Sequence, residues 1–251
     1  MFLGEHETYF YDSIKQKHRV LFSNLVNGID TGCSALYIAS GENVDAVKAE
    51  LDLFGLKRDD PQKLKIVTSN QWYTPDGDFN ARRVVDQYRR LIDEAVDSGF
   101  AGLYVSADLQ DTFDYLYKKG LIEEWIDYEN SLGATFKLPM EAICAYRTEQ
   151  IKSNGQMLLQ LLKGHKDTIS AKTEKRILNE QLIRNTVYQQ FQKTLGKTMT
   201  TMLFDYLDSP TPLTIENFWD LLESILREEY FKMGKHIEQN ILKEICARIE
   251  V

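Results

Sequence analysis

Residues 34–56 read SALYIASGENVDAVKAELDLFGL, and their pattern decides the fold class. SALYIAS (34–40) is a short apolar run closed by Gly41, as expected of a strand buried on both faces. NVDAVKAELDLFGL (43–56) carries apolar residues at helical spacing and ends near Gly55, which can take the left-handed conformation of a helix cap. The same unit recurs outward in both directions. KLKIVTS (63–69), AGLYVSA (101–107) and MEAICAYR (140–147) read as three more strands. SIKQKHRVLFSNLVNGID (13–30) and ARRVVDQYRRLIDEAVDSG (81–99) read as helices; in the first, Val20, Leu21, Leu25 and Val26 fall close to one face. Strand–helix alternation at this spacing predicts an α/β domain with a doubly wound, mainly parallel sheet.

Beyond Tyr146 the strand signals stop. QMLLQLLKGH (156–165) reads as a helix, and the polar stretch GHKDTISAKTEK (164–175) as a linker. Three helices are predicted beyond it, at about 174–207, 214–230 and 233–249, with SPTP (209–212) separating the first two. The expected organisation is thus an α/β domain over 1–165 and an all-α domain over 166–251. The charge changes at the same place: residues 1–165 hold 18 basic and 25 acidic side chains, and residues 166–251 hold 12 and 13.

The whole chain of 251 residues has a net charge of −8, 43% hydrophobic and 27% charged residues. That is globular composition, with chain enough to bury a core. The acidic balance argues against nucleic acid as a partner, which needs a basic stripe. No apolar run approaches the ~18–20 residues of a membrane span, so no membrane partner is expected. MFLGEHETYFYD lacks a basic n-region and apolar core, so no secretory leader is expected. Cys33, Cys144 and Cys246 are scattered and form no paired motif, which fits a reducing cytoplasm.

Tests for particular chemistries remove several classes. The phosphate cradle GxxxxGK[ST] is absent, and LGKT (195–198) lies in a helical stretch with no strand leading into it. GxGxxG and GxSxG are missing too. His6, His18, His165 and His236 stand alone without i,i+3 or i,i+4 partners, so neither a metal nor a cofactor is expected. His18, among basic neighbours, reads as surface. Cys144 reads either as a buried small apolar group or as a thiol touching a ligand. His6, with Tyr9, Phe10 and Tyr11, lies just before the first helix, either packing aromatics on the sheet or walling a small-molecule pocket. Glu42, Asp108 and Glu129 fall at the ends of strands or beside them, where ligands of open α/β sheets bind. Solvated loop acids are the alternative reading.

Taken in order, GEHETYFYD, GCSALYIASGENVDAVKAELDLFGL, WYTPDGDFNARRVVDQYRRLIDEAVDSGFAGLYVSADL, DYENSL and AICAYR resemble the MEDS domain, the methanogen/methylotroph DcmR-type sensory domain. The resemblance covers residues 4–165. His6 and the tyrosines Tyr9 and Tyr11 match the family's opening motif, Tyr128–Glu129 its YE pair, and Cys144–Tyr146 its late strand. An acidic residue usually follows that tyrosine; here Arg147 does. The resemblance implies a relative of the RecA/KaiC-type ATPase fold that has lost its P-loop, with Asp108 closing the strand equivalent to Walker B. It further implies a sensor of small molecules, including hydrocarbon derivatives, that passes a signal to an output domain and does no catalysis. QKTLGKTMTTMLFDYLDS (192–209) followed by TIENFWDLLESILREEYFKMGKHIEQNILKEI (214–245), with LGK, a YL helix end and Gly234 before the last helix, is similar to the Nitrosopumilus output domain type, which implies an archaeal source.

The expectation is therefore a cytoplasmic signal-transduction sensor and not an enzyme. Its ligand would be held among His6, Tyr9, Tyr11, Glu42, Asp108, Tyr128, Glu129, Cys144 and Tyr146. A signalling-protein partner would receive the output. Ile177, Leu178, Leu182, Ile183, Val187 and Phe191 form an apolar stripe that either seams a homodimer or packs on the chain's own helices. Two alternatives stay open: a degenerate KaiC-like nucleotide binder or ATPase using Glu42 and Asp108 around Mg²⁺, and a transcription regulator.

Overall fold

The computed structural model describes residues 4–56, 63–133, 136–152, 155–170, 172–207 and 231–249. The chain divides into two compact units, Met1–Arg176 and Ile177–Val251. The predicted helix 214–230 lies outside the described residues.

HETYFY forms a strand, β1 (His6–Tyr11), with all six residues buried. The others are β2 (Ser34–Ala39), β3 (Leu64–Thr68), β4 (Leu103–Asp108), β5 (Met140–Arg147), β6 (Asp167–Ile169) and β7 (Arg176–Leu178). They make one sheet in the order β3-β2-β4-β5-β1-β6-β7. Pairing is parallel between β1 and both β5 and β6, between β2 and both β3 and β4, and between β4 and β5. The α/β class with a mainly parallel sheet is as expected, but three strands were not. β1 opens with His6, Glu7 and Thr8 and closes with Tyr9, Phe10 and Tyr11, and its polar half hides the apolar run that marks a doubly buried strand. β6 lies inside the stretch read as a linker, so the α/β unit extends past residue 165. β7 takes Ile177 and Leu178 out of the predicted helix.

Helices α1 (Ile14–Asp30), α2 (Val44–Leu53), α3 (Ser69–Tyr73), α4 (Ala81–Asp97), α5 (Gln110–Lys119), α6 (Ile122–Leu132), α7 (Thr148–Lys152) and α8 (Gly155–Gly164) complete the unit. Ser13 starts α1 with a capping box to Gln16, so two residues, Asp12 and Ser13, separate β1 from the helix. α1 lies close on β4. Ser106 Oγ donates to the Leu21 carbonyl at 2.9 Å, and Asn24 Nδ2 donates to Ser106 Oγ at 3.2 Å. A Cβ at Gly28 would meet Tyr104 Cγ at 2.3 Å, so glycine is what allows this approach. Tyr9, Tyr11, Leu21, Phe22, Tyr37 and Ala145 belong to the core on this face.

The second unit holds α9 (Asn179–Leu195), α10 (Lys197–Leu207) and the helix Phe231–Ile249. Gly196, at φ 78°, ends α9 where one long helix was expected. Leu182, Ile183, Val187 and Phe191 are buried within the chain; α9 packs on α10 and on the last helix.

Candidate functional site

Side chains alternate across a strand, and this divides the expected ligand residues into two groups on opposite faces. In the β1–β5 register Thr8 pairs with Cys144, Phe10 with Tyr146 and Tyr9 with Ala145. In β4–β5, Asp108 pairs with Ala145 and Ala107 with Cys144. Tyr9, Tyr11 and Asp108 therefore share the α1 face, where Glu42 joins them. His6, Cys144 and Tyr146 share the other, where α6 brings Tyr128 and Glu129. Glu42, Asp108 and Glu129 do not meet at one site as their places in the sequence suggested.

On the α1 face, the chain leaves β2 toward β3 and leaves β4 toward β5, in opposite directions. The crevice between the ends of β2 and β4 is thus a switch point of the kind that binds ligands in open α/β sheets. It is filled by a side chain the sequence did not single out. Lys17, 1% exposed, places Nζ 2.6 Å from Asp108 Oδ2 and 2.5 Å from Glu42 Oε2. Tyr11 Oη donates to Asp108 Oδ1 at 2.9 Å, and Tyr37 Oη to Glu42 Oε2 at 3.3 Å. Burial raises the Asp108 pKa, with the Lys17 charge opposing. Burial also works to raise Glu42, but hydrogen bonds from His18 and Lys17 outweigh it and leave that carboxyl below its ordinary value. Burial raises the phenols of Tyr9 and Tyr11. His18 is a correction: it is buried, 2.5 Å from Glu42 Oε1, paired also with Glu50, and stacked on Phe22.

On the opposite face, four segments converge. Nδ1 of His6 lies 3.0 Å from the Gly164 carbonyl and 3.1 Å from that of Gly133. Carbonyls only accept, so Nδ1 carries the proton and Nε2 presents a lone pair. That Nε2 is 3.4 Å from Cys144 Sγ and 3.5 Å from Glu129 Oε2. His165, at the junction of α8 and β6, repeats the arrangement: Nδ1 is 2.6 Å from the Leu161 carbonyl, and Nε2 is 3.5 Å from Glu129 Oε2. Cys144 Sγ lies 4.0 Å from the same carboxylate oxygen. The four ligand atoms lie within 4.8 Å of one another, and all four residues are buried. Tyr146 Oη donates to Glu129 Oε1 at 3.2 Å and accepts from Trp125 Nε1 at 3.3 Å. Trp125, Tyr128, Phe79 and Tyr73 form an aromatic wall with ring centroids 5.2–5.7 Å apart, and Phe136 covers His6 at 4.9 Å.

Burial governs the electrostatics of this cluster. It lowers His6 to about 4 against the hydrogen bonds of Gly133 and Gly164, and it raises Glu129 to about 8 against the hydrogen bond of Tyr146. Burial, with Glu129 adding to it, also pushes the Cys144 thiol well up. His165 is driven well below the usual histidine value by burial and by His6. Four polar groups are thus held neutral in an apolar, aromatic surround. Such a site can accept a small polar molecule or, with two protons lost, a cation. His165 was missed because spacing rules inspect one segment at a time, and His6, Glu129, Cys144 and His165 come from four. A second group, Glu5, Glu7 and Asp167, is already engaged by cations: Arg176 holds Glu7 and Lys166 holds Glu5. A groove of about 720 Å³ at the amino ends of β2, β3 and β4 is lined by Lys65, Glu94 and Asp97 among others and shares no lining residue with either cluster.

An α/β unit with a central parallel sheet and a buried, mixed histidine, thiol and carboxylate cluster is the class defined here. The MEDS family model, described as the methanogen/methylotroph, DcmR sensory domain, matches residues 5–166, and the chain belongs to that family. The match ends next to His165, so all four cluster residues lie inside it. No curated protein matches the chain. Among solved structures, the assembled ATPase EscN of the type III secretion system of enteropathogenic E. coli is similar at 12% identity, covering 96% of this chain and 67% of that one, with a TM-score of 0.43.

Proposed function

We propose that the chain is a non-catalytic signal-transduction sensor whose α/β unit binds a small molecule at the His6–Glu129–Cys144–His165 cluster and whose helical unit carries the output. Membership in a sensory family supports signal transduction. The observation that carries the site is the burial of these four polar groups behind Trp125, Tyr128 and Phe136, a setting suited to a small, weakly polar ligand. The course of the chain supports relay. A single residue, Lys166, separates His165 from β6, and β7 runs into α9 without an intervening loop. A ligand shifts such a device only by binding one of its two arrangements better.

The strand order, with α1 packed on one face and α6 on the other, suits the doubly wound RecA-like ancestry. Lys17 counts against the degenerate nucleotide binder: its ammonium stands between Glu42 and Asp108, where Mg²⁺ would have to sit. The net charge of −1 over 166–251 counts against DNA reading.

The test is thermal denaturation with short alcohols, amines and halomethanes, each against wild type and Tyr128→Ala. A probe that raises the midpoint of wild type and not of the variant supports the site. ATP with Mg²⁺ raising the midpoint in an Asp108-dependent way would replace this reading with nucleotide binding.

A further inference from the structure

We infer that His6, His165, Cys144 and Glu129 form a metal centre that holds one divalent first-row ion, zinc being the best fit, through Nε2, Nε2, Sγ and a carboxylate oxygen. The inference deepens the sensor reading and rests on it for the site's purpose, though not for metal binding itself.

Geometry is the first argument. Four ligands at ordinary zinc distances, about 2.0–2.1 Å for nitrogen or oxygen and about 2.3 Å for sulfur, stand roughly 3.3 Å apart, or roughly 3.6 Å where one is sulfur. The separations are 3.5 Å from each histidine Nε2 to Glu129 Oε2, 3.4 Å from His6 Nε2 to Cys144 Sγ and 4.0 Å from Sγ to Oε2. Those four edges are tetrahedral within a few tenths of an ångström, and the remaining two, from His165 to His6 and to Cys144, lie within 4.8 Å.

Tautomers are the second. A metal-bound histidine usually gives its other N–H to a carbonyl or carboxylate, which fixes the ring and directs the lone pair. Both histidines do this through backbone carbonyls, His6 to Gly133 and Gly164 and His165 to Leu161. Glu129 is fixed in the same way by the Tyr146 hydroxyl on its other oxygen. Charge is the third: a thiolate and a carboxylate balance a divalent ion, so the loaded centre is neutral overall, as a fully buried site requires. Imidazole, thiolate and carboxylate together suit zinc, cobalt or iron better than magnesium or calcium, which prefer oxygen alone.

The experiment starts from full-length protein purified without a histidine tag. Its metal content is measured by plasma mass spectrometry, and the protein is then stripped with chelator and titrated with Co²⁺. One ion per chain is expected. Bound cobalt should give strong visible bands of a four-coordinate ion and a near-ultraviolet thiolate-to-cobalt band. The Cys33→Ser/Cys246→Ser variant, in which Cys144 is the one thiol, should keep both features, and Cys144→Ser should lose the near-ultraviolet band. His6→Gln should weaken cobalt binding by about tenfold or more. Circular dichroism confirms folding; should Cys144→Ser not fold, the variant with Cys144 alone decides. A folded wild type that takes no stoichiometric metal, or a cobalt spectrum without a thiolate band, overturns the centre. Small-molecule binding by a chain that takes no metal also overturns it while leaving the sensor. Metal uptake with no response to small molecules upholds the centre and removes the sensor.

Discussion

Lys17 Nζ lies 2.6 Å from Asp108 Oδ2 in the interior of the α/β unit, one at the first turns of α1 and the other at the last residue of β4. The pair closes the crevice at the carboxyl ends of the strands with a salt bridge. Its two side chains are 2% and 0% exposed, so neither charge can turn to water for compensation.

Replacing Lys17 by methionine should therefore be costly, since it leaves Asp108 and Glu42 facing each other without a cation. Breaking one side of a buried pair costs about 3–5 kcal/mol. Urea unfolding of Lys17→Met measures it, and Lys17→Met/Asp108→Asn should recover part of the loss. A single variant within about 0.5 kcal/mol of wild type would mean that water reaches the crevice.

Glu42 sets the sign of one pH dependence. Its carboxyl is held below the ordinary value, near Lys17, His18, Tyr37 and Asp108. The stability it contributes is complete above the unfolded glutamate pKa of about 4.3 and is lost as pH falls through the lower folded value. Urea unfolding of wild type and Glu42→Gln should show a stability gap that narrows with acidity over that window. A gap that widened would contradict the hydrogen bonds assigned to Glu42.

Tyr146→Phe removes the hydroxyl that bridges Trp125 Nε1 and Glu129 Oε1. Two buried polar groups each lose a partner, at a cost of about 1–3 kcal/mol. Denaturant midpoints give the loss, and the fluorescence of Trp125 should shift in the folded state, because its indole N–H loses its acceptor.

Gly28→Ala tests how closely α1 lies on β4. Alanine favours a helix by about 1 kcal/mol over glycine. Here, however, the new methyl would stand 2.3 Å from Tyr104 Cγ and 2.5 Å from its Cβ, the stiff base of the side chain. Overpacking of this kind costs about 1–3 kcal/mol, so a net loss of stability is expected. A gain in thermal midpoint would show that α1 can move off the sheet freely.

Fold class was legible where apolar runs and helical spacing act locally, as in SALYIAS and NVDAVKAELDLFGL, which became β2 and α2. β1 was not, because His6, Glu7 and Thr8 are polar residues buried by tertiary partners that no window of sequence contains. The candidate site was legible in part for the same reason. His6, Glu129, Cys144 and Tyr146 stand out by type and by the family's motifs, and the structure brings these four together. Tyr9 and Tyr11 were grouped with them because side-chain alternation cannot be applied to a strand not yet recognised, and Glu42 and Asp108 because a place at a strand end does not say which face of the sheet a side chain takes. Lys17 and His18 carried no signal beyond their place on α1, where adjacent charged residues ordinarily face solvent. His165 needed the turn of the chain from α8 into β6 to reach Glu129.

β1 serves as a wall common to two chambers. Its even-numbered residues, His6, Thr8 and Phe10, furnish one chamber, and its odd-numbered residues, Glu7, Tyr9 and Tyr11, furnish the other. Single replacements within the strand alter one chamber and spare its neighbour. An insertion or deletion of one residue would exchange the two faces, turning His6 away from Glu129 and a tyrosine toward Cys144. This six-residue stretch can therefore vary in composition but not in length.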